Sequence, residues 1–166
     1  DDAHLLAEPT GRNTLPAIAW AMAALREAGG EATAVVLPSD HLLDDAAFDA
    51  IRQAEPLAAD RLVTFGVTPT SPHTGYGYIR PGAPLAGGYE VEAFVEKPDA
   101  ATAGRYLRDG YLWNSGMFLL STAVFFEELG RLQPAVAGAV AALPPDYGTM
   151  PSVSIDYGLL ERSGRV

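Results

Sequence analysis

The sequence contains no cysteine, and only one of its eleven basic residues, Lys97, is a lysine. The absence of cysteine excludes disulfide bonds, thiolate metal sites and a cysteine nucleophile. No apolar run is long enough to cross a bilayer and no signal peptide is visible, so we expect a cytoplasmic protein without a membrane partner. The net charge of −10 argues against binding to nucleic acid, because phosphate backbones require clustered positive charge.

The pattern of apolar residues is typical of α/β layers. With 166 residues and 48% hydrophobic composition, the chain is large enough for one domain with a substantial core. The runs ATAVVL (32–37) and RLVTFGV (61–67) are continuously apolar, as in strands that are buried on both faces of a parallel sheet. We therefore predict a Rossmann-like α/β fold, in which helices flank a mixed, mostly parallel sheet and residues 1–166 form a single domain.

Local signals predict the remaining elements. Helical spacing and capping residues predict helices over 14–28, 44–54, 99–109, 122–132 and 134–143, and another that opens near residue 154. Shorter apolar segments predict further strands over 4–7, 76–80, 89–96 and 117–120.

Polar residues follow several of the predicted strands. Asp40 comes after ATAVVL, Glu96 and Lys97 come after a strand that ends in Phe-Val, and the triplet 114–116 (NSG) is predicted to form a turn before a strand. Ligands of open α/β sheets bind outside the carboxyl ends of the strands, so these side chains suit a binding site. Each also has a structural interpretation, as a turn residue, a solvated strand end or a tight turn.

The single lysine stands between a glutamate and a proline in FVEKPD (94–99). An arginine-rich composition alone could leave one lysine at an arbitrary place, whereas a compact ammonium group suits a phosphate contact. Pro98 disfavours helical geometry for the residue before it, which predicts an extended Lys97. In an extended strand, Glu96 and Lys97 would point to opposite faces unless the strand bulges there.

The segment TGYGYI (74–79) is rich in glycine but does not match the dinucleotide-binding pattern, because it does not lead from a strand into a helix. Gly75 and Gly77 are better explained by a close approach of the backbone to a ligand, or by a bulge. The three histidines, at 4, 41 and 73, do not have the spacing of metal ligands.

Several of these segments together resemble one family. The chain is similar to bacterial mannose-1-phosphate guanylyltransferases in EPTGRNTLPA (8–17), VLPSDH (36–41), LVTFGVTPT (62–70), TGYGYI (74–79), FVEKPD (94–99), WNSGMF (113–118) and SIDYGLLE (154–161). The resemblance implies that mannose 1-phosphate attacks the α-phosphorus of GTP, which gives GDP-mannose and pyrophosphate with Mg²⁺ as the cofactor. A transferase for another base or sugar, or a non-catalytic module that binds a sugar nucleotide, remains an alternative.

The resemblance also implies roles for individual residues. Asp40 would be a metal ligand and Lys97 would contact the phosphate of the sugar, and both would be catalytic. Glu96 and Asn114 would bind mannose, and the backbone at Gly75 would lie against the sugar.

The residues of the first and last matching motifs receive less specific roles. The resemblance places Glu8, Arg12, Asn13 and Thr14 near the guanine base. A carboxylate such as Glu8 could accept the donor pair that guanine presents, which we state as a hypothesis. Asp156 would lie near the substrate in a role that the motif does not define.

The chain departs from the family pattern at both ends. A glycine-rich loop resembling GGxGTRLWPLSR would lie before residue 1, and a WSDVG-like segment with a second metal-binding aspartate would lie after residue 166. Within the chain, His73 stands where a glutamate is usual and Arg162 where a lysine is usual. We therefore expect a catalytic domain that is incomplete at both ends. Alone it should lack pyrophosphorylase activity, and it should aggregate or pair with another chain, for example as a homo-oligomer.

Overall fold

The computed structural model describes residues 3–166. The helices are α1 (Thr14–Gly29), α2 (Asp45–Ala54), α3 (Ala100–Arg108), α4 (Thr122–Leu132) and α5 (Pro134–Ala139). The strands are β1 (Thr33–Val36), β2 (Val63–Val67), β3 (Tyr78–Leu85), β4 (Gly88–Val95) and β5 (Leu112–Ser121). Short 3₁₀ turns cover Glu55–Ala59 and Tyr147–Thr149, and one π-helical turn covers Asp156–Leu160.

Local capping explains where most of the helices begin. The carboxylate of Asp44 accepts a hydrogen bond from the amide of Ala47 at the start of α2. Asp99 caps α3 in the same way, and the hydroxyl of Ser121 caps α4. These side chains satisfy amides that have no partner inside the first helical turn. The five helices predicted between residues 14 and 143 are confirmed, although α5 ends at Ala139 rather than at residue 143. The helix predicted to open near residue 154 is instead a single π-helical turn.

The direction of the strands differs from the prediction. Every strand pair within residues 3–166 is antiparallel, so the mostly parallel sheet predicted from the sequence is wrong. The two apolar runs β1 and β2 do not pair with each other but flank β5, which runs against both. A continuous apolar run contains no information about the direction of the neighbouring strand. The burial on both faces expected for these two runs is also wrong, since β1 alternates between exposed and partly exposed residues and β2 ends in two exposed residues.

Two further expectations about strands are wrong. Residues 4–7 are irregular, not a strand. Strand β5 begins at Leu112 instead of residue 117, so Asn114, Ser115 and Gly116 lie inside a strand rather than on a turn before it. Residues such as Asn, Ser and Gly favour turns locally, but pairing of Asn114 with Gly66 of β2, and of the residues before and after the triplet with their neighbours, overrides that preference.

Helices cover both faces of the sheet. Phe118 and Leu120 of β5 face the main core, which α1, α4, α5 and the segment around the π-helical turn complete. Met117 and Leu119 face the opposite side, where α2 supplies Ile51 to a smaller core. This alternation follows from the two-residue period of a strand. No helix within residues 3–166 combines the length and apolar character needed to cross a membrane.

Candidate functional site

The site lies beside the middle of β5, between the ends of two strands. Phe118 pairs with both β1 and β2, so those strands lie on opposite sides of β5. Trp113 pairs with both β2 and β3, which places β3 on the same side as β1. Strand β1 covers residues 118–121 on that side and β3 covers residues 112–113. On that side, the stretch of β5 between these paired residues borders a pocket instead of another strand.

This pocket has a volume of about 290 Å³ and collects most of the predicted site residues. Its walls are formed by Thr14, Pro38, Gly75, Tyr76, Gly77, Glu96, Lys97, Asn114, Ser115, Gly116, Phe118, Ile155 and Asp156. Segments that are up to 142 residues apart in the sequence, from Thr14 to Asp156, therefore share one cavity. We call it the polar pocket.

Asn114 lies at the centre of a hydrogen-bond network in the polar pocket. Its Nδ2 donates to Oδ1 of Asp156 at 2.8 Å. Its Oδ1 accepts from the Thr64 hydroxyl at 2.9 Å and from the Gly116 amide at 3.3 Å. Its backbone amide donates to the carbonyl of Gly77 at 2.8 Å. The side chain is thus held in one orientation by partners from three segments of the chain.

Lys97 adopts a conformation that the sequence did not predict. Its φ angle is +47°, in the left-handed region, so the predicted extended geometry is wrong. The turn lets its Nζ approach Oε1 of Glu96 at 3.4 Å, so the two side chains meet instead of pointing to opposite faces. Lys97 remains 61% exposed, whereas the side chain of Glu96 is only 11% exposed. A mostly buried carboxylate therefore lies beside an exposed cation that can reach a ligand.

The strained backbone conformations lie at the segments that border the pocket. Within residues 3–166, the residues other than glycine with a positive φ are Asn13 and Lys97. Such a conformation costs roughly 1–2 kcal/mol for a residue with a side chain. Strain of this kind persists where the surrounding structure holds it, and it clusters at functional sites.

Two carboxylates in the polar pocket are poorly solvated. Burial raises the pKa of Glu96, and the nearby charge of Asp156 raises it further, while Lys97 acts in the opposite direction. Burial also raises the pKa of Asp156, against the hydrogen bonds from Asn114 and Ser154. Partly buried acceptors of this kind gain from hydrogen-bond donors on a bound ligand.

The π-helical turn brings Asp156 into the pocket. The amide of Ile155, just before this turn, donates to the Thr14 hydroxyl at 3.0 Å, which ties the turn to the start of α1. The side chain of Leu15 would lie 2.6 Å from any Cβ at Gly158, so glycine is required for this close packing. π-Helical turns are rare and often occur at functional sites. The sequence predicted an ordinary helix here, with Asp156 in its first turn.

The loop before β3 lines the pocket with backbone. A Cβ at Gly77 would lie 2.5 Å from Oε2 of Glu96, so only glycine leaves room for that carboxylate. The Gly75 amide donates to Nδ1 of His73 at 3.0 Å, and the His73 ring stacks on Tyr76 with centroids 4.1 Å apart. The His73 carbonyl accepts from the Tyr78 hydroxyl at 2.8 Å. His73 thus organises the loop.

The other residues predicted to lie near guanine contact a different part of the protein. Glu8 accepts a hydrogen bond from the Tyr147 hydroxyl, and Arg12 donates to the carbonyl of Gly148 at 3.0 Å. Asn13 caps α1 and accepts from the Thr14 amide at 2.8 Å. Of the four, Thr14 alone is among the residues that line the polar pocket. The sequence had no signal for Tyr147, because this partner lies 139 residues from Glu8.

Asp40 does not line the polar pocket. It is exposed in the turn that follows β1, whereas Pro38 of the same segment reaches the pocket wall. Within residues 3–166, no group of three or more His, Cys, Asp or Glu residues is arranged to hold a metal ion. Asp40 is therefore a single exposed carboxylate near the site.

A second, mostly apolar pocket of about 490 Å³ adjoins the first. Tyr76, Asn114 and Ser115 line both pockets. The indole nitrogen of Trp113, which also lines the second pocket, is buried and has no hydrogen-bond partner within residues 3–166. The charged groups belong to the smaller polar pocket, so we place the candidate site there.

Comparison with known proteins gives consistent matches. The family model described as Nucleotidyl transferase matches residues 2–146. The xanthan biosynthesis protein XanB of Xanthomonas campestris pv. campestris (strain B100) is 47% identical over 96% of this chain and 38% of its own length. The mannose-1-phosphate guanylyltransferase of Escherichia coli (strain K12) is 41% identical over 96% of this chain and 39% of its own length. The chain thus spans about two fifths of the length of these relatives.

Solved structures match the fold as well. A crystal structure described as a mannose-1-phosphate geranyltransferase from Thermus thermophilus superposes with a TM-score of 0.90 at 38% identity, over 98% of this chain and 51% of that one. A mannose-6-phosphate isomerase from Helicobacter pylori superposes with a TM-score of 0.80 at 30% identity, over 95% of this chain and 67% of that one. Both matches extend over nearly all of the fold described above.

Proposed function

Because the chain belongs to the nucleotidyl transferase family, we propose that the protein transfers GMP from GTP to mannose 1-phosphate. A phosphate oxygen of mannose 1-phosphate forms a bond to the α-phosphorus of GTP. The bond from that phosphorus to the bridging oxygen breaks, and pyrophosphate leaves. Catalysis of this kind consists mainly of positioning the reactants and stabilising charge. The names of the relatives support the choice of substrates.

The sugar would occupy the polar pocket. Glu96 and Asp156 present partly buried carboxylate oxygens that can accept hydrogen bonds from sugar hydroxyls. Asn114 lines the same pocket and donates to Asp156, and its amide can also bond a hydroxyl. The Gly75 backbone lines the same pocket and allows the ring to approach closely. These are the contacts that a polyhydroxylated ligand needs in a small cavity.

Lys97 would bind the phosphate of the sugar. Its ammonium group is mostly exposed at the pocket wall, and its ion pair with Glu96 is long at 3.4 Å, so a phosphate can compete for it. Lysine binds phosphate as a compact point charge, without the fixed planar geometry that a bidentate arginine would impose. We assign the catalytic role in this chain to Lys97 on these grounds.

The nucleotide would approach from the segment around the start of α1. Thr14 lines the polar pocket, and Asn13 precedes it in a left-handed conformation. Glu8 and Arg12 are held against the Tyr147–Thr149 turn. We propose that this segment binds the guanine base, with the Glu8 carboxylate as acceptor once its bond to Tyr147 opens.

We propose Mg²⁺ as the divalent cation, and the described residues supply only part of the ligands that it needs. Asp40 would hold it through one exposed carboxylate near the pocket. Magnesium is commonly bound by one or two carboxylates together with substrate phosphates, so a single ligand from these residues is compatible with it. When bound, Mg²⁺ neutralises charge on the triphosphate.

Further proposals concern the protein as a whole. We propose that residues 1–166 act as part of one catalytic domain, that the protein is cytoplasmic, and that it self-associates. The last proposal is supported by exposed apolar side chains, among them Leu5, Leu42 and Val67. Sedimentation velocity over a range of concentrations tests it, and a concentration-independent monomer would contradict it.

The observation that carries the proposed function is the meeting of two partly buried carboxylates, the Asn114 amide and one exposed lysine in a single pocket. The test is release of pyrophosphate by the full-length protein with GTP, ATP or dTTP, and with mannose 1-phosphate or glucose 1-phosphate. We expect the highest kcat/KM for GTP with mannose 1-phosphate. A preference for another base or sugar would reassign the substrates, and binding without turnover would indicate a non-catalytic module.

A matched pair of variants separates the role of Lys97 from a general charge effect. Lys97→Ala and Arg80→Ala each remove an exposed cation that pairs with a glutamate, and Arg80 pairs with Glu92 on the β3–β4 hairpin at 3.1 Å. We expect Lys97→Ala to lower kcat/KM for mannose 1-phosphate by about 100-fold, as for other groups that stabilise transition-state charge. Arg80→Ala should retain the activity of the parent protein.

A further inference from the structure

Thr64 contacts Asn114 of the polar pocket from the far side of β5. It lies in the motif LVTFGVTPT (62–70), to which the resemblance gave no site residue. It lies on β2, which pairs with β5 on the side opposite to β1 and β3. Its hydroxyl lies 2.9 Å from Oδ1 of Asn114 and 3.4 Å from the carbonyl oxygen of Met117. The hydroxyl has one proton to donate, and the shorter contact is to Asn114.

The partners of Asn114 determine which way its amide is oriented. In the observed orientation, Oδ1 receives hydrogens from Thr64 and from the Gly116 amide, while Nδ2 donates to the Asp156 carboxylate. In the reversed orientation, Oδ1 would face a carboxylate oxygen and Nδ2 would face the N–H of Gly116. The first contact would set one acceptor against another, and the second would set one donor against another. The contact between Oδ1 and the carboxylate becomes favourable only if Asp156 is protonated.

We propose that Thr64 is a positioning residue, which holds the Asn114 amide so that Nδ2 faces Asp156 and can bond a ligand in the polar pocket. The inference rests on the proposed function only where it concerns the sugar. Nδ2 carries two hydrogens, and Asp156 accepts one of them. The second hydrogen is therefore available to a sugar hydroxyl as long as the amide keeps this orientation.

The same network affects Asp156 in a way that can be measured without a substrate. Asn114 stabilises the ionised carboxylate by donating to it, as do Ser154 and the nearby charge of Lys97, while burial acts against ionisation. The charge of Glu96 also lies close to Asp156. If the Thr64 hydroxyl is removed, the amide loses its shorter bond at Oδ1 and can reverse when Asp156 is protonated. The Asp156 titration is then displaced to higher pH.

The test uses Thr64→Val, which keeps the shape of the side chain and removes the hydroxyl, and Thr64→Ser, which keeps the hydroxyl. Thr33→Val, at an exposed position of β1, controls for the substitution itself. Carbon-13 NMR of the full-length protein labelled at aspartate follows the Asp156 carboxyl from pH 3 to pH 9 without substrate. We expect a higher apparent pKa in Thr64→Val, and parental values in Thr64→Ser and Thr33→Val.

Kinetics supply the second readout. Loss of one hydrogen bond in the site should raise the KM for mannose 1-phosphate about tenfold in Thr64→Val, with the KM for GTP unchanged. Thr64→Ser should restore it. If Thr64→Val does not fold, Thr64→Ala, which also lacks the hydroxyl, replaces it in both measurements.

The outcomes are distinguishable. An Asp156 titration that is the same in Thr64→Val as in the parent would overturn the positioning role. So would a Thr64→Ser variant as impaired as Thr64→Val, because that result would indicate packing rather than hydrogen bonding. If the displaced titration is seen but the parent protein does not turn over mannose 1-phosphate, the positioning role stands and the proposed function falls.

Discussion

Replacement of Gly77 by alanine should damage the polar pocket while leaving the fold intact. Gly77 is buried, and its φ angle lies outside the left-handed region, so the backbone conformation is open to alanine. The added Cβ would lie 2.5 Å from Oε2 of Glu96 and 3.3 Å from Cβ of Asn114. Both neighbours belong to the proposed sugar site, so the methyl group acts directly on it.

The size of the effect follows from these distances. Ordinary van der Waals contact begins at 3.4 Å, so the Glu96 carboxylate must retreat by about 1 Å. A misplacement of about 1 Å in a site can cost about 100-fold in rate, which corresponds to about 2.7 kcal/mol. The atom that must move is the end of a flexible side chain, so we expect the free energy of unfolding to change by less than about 1 kcal/mol.

The assay is steady-state kinetics of pyrophosphate release with mannose 1-phosphate as the varied substrate, together with urea unfolding followed by circular dichroism. Gly104→Ala is the control, because a Cβ at this position of α3 meets only Arg108, at 3.9 Å. Alanine is the better helix former, so this control should gain up to about 1 kcal/mol in stability without loss of activity.

Two results would contradict the role given to Gly77. If Gly77→Ala keeps kcat/KM within twofold of the parent, the Glu96 carboxylate does not need its present position. If the variant loses activity only because it unfolds, Gly77 is needed for packing of the fold, and a role of Gly77 in positioning Glu96 is not supported.

Three further predictions concern neighbouring side chains. Lys97→Arg should lower kcat/KM for mannose 1-phosphate about tenfold, because a planar fork replaces a compact charge; kinetics equal to the parent would favour the compositional explanation of this lysine. Glu96→Gln should gain stability relative to the parent as pH rises above 4.5, because burial raises the pKa of Glu96 and the folded state therefore binds the proton more tightly than the unfolded state. Urea unfolding between pH 4 and pH 8 measures this gain, and a variant that is relatively less stable at pH 8 would contradict it. His73→Asn retains an acceptor for the Gly75 amide and His73→Leu does not, so amide exchange of Gly75 measured by NMR should be about tenfold faster in the leucine variant alone; equal rates would show that the bond at 3.0 Å does not hold the loop.

Local signals predicted the helices well. Asp44, Asp99 and Ser121 cap helices where the sequence predicts them, because a cap involves residues only two or three positions apart. Strand direction was not predicted, since pairing depends on residues far apart in the chain. Phe118 of β5, for example, pairs with Val36 on one side and Thr64 on the other.

The candidate site shows the same division. The motifs identified Glu96, Lys97, Asn114 and Asp156, and these side chains line one pocket. The conformation of Lys97 was predicted incorrectly, because the preference imposed by Pro98 is a modest local effect that the surrounding structure overrides. The roles of these four side chains toward substrate stay predictions.

The motifs of the sequence resembled one family, and residue types and short spacings predicted the helices and the set of polar residues from which a site could be built. The tertiary structure was needed to show that the sheet is antiparallel, that Lys97 turns toward Glu96, and that Thr64 supports Asn114 from the opposite side of β5. The contact between Thr64 and Asn114 joins residues 50 positions apart. Contacts of that kind depend on how the whole chain packs, and no local pattern in the sequence contains them.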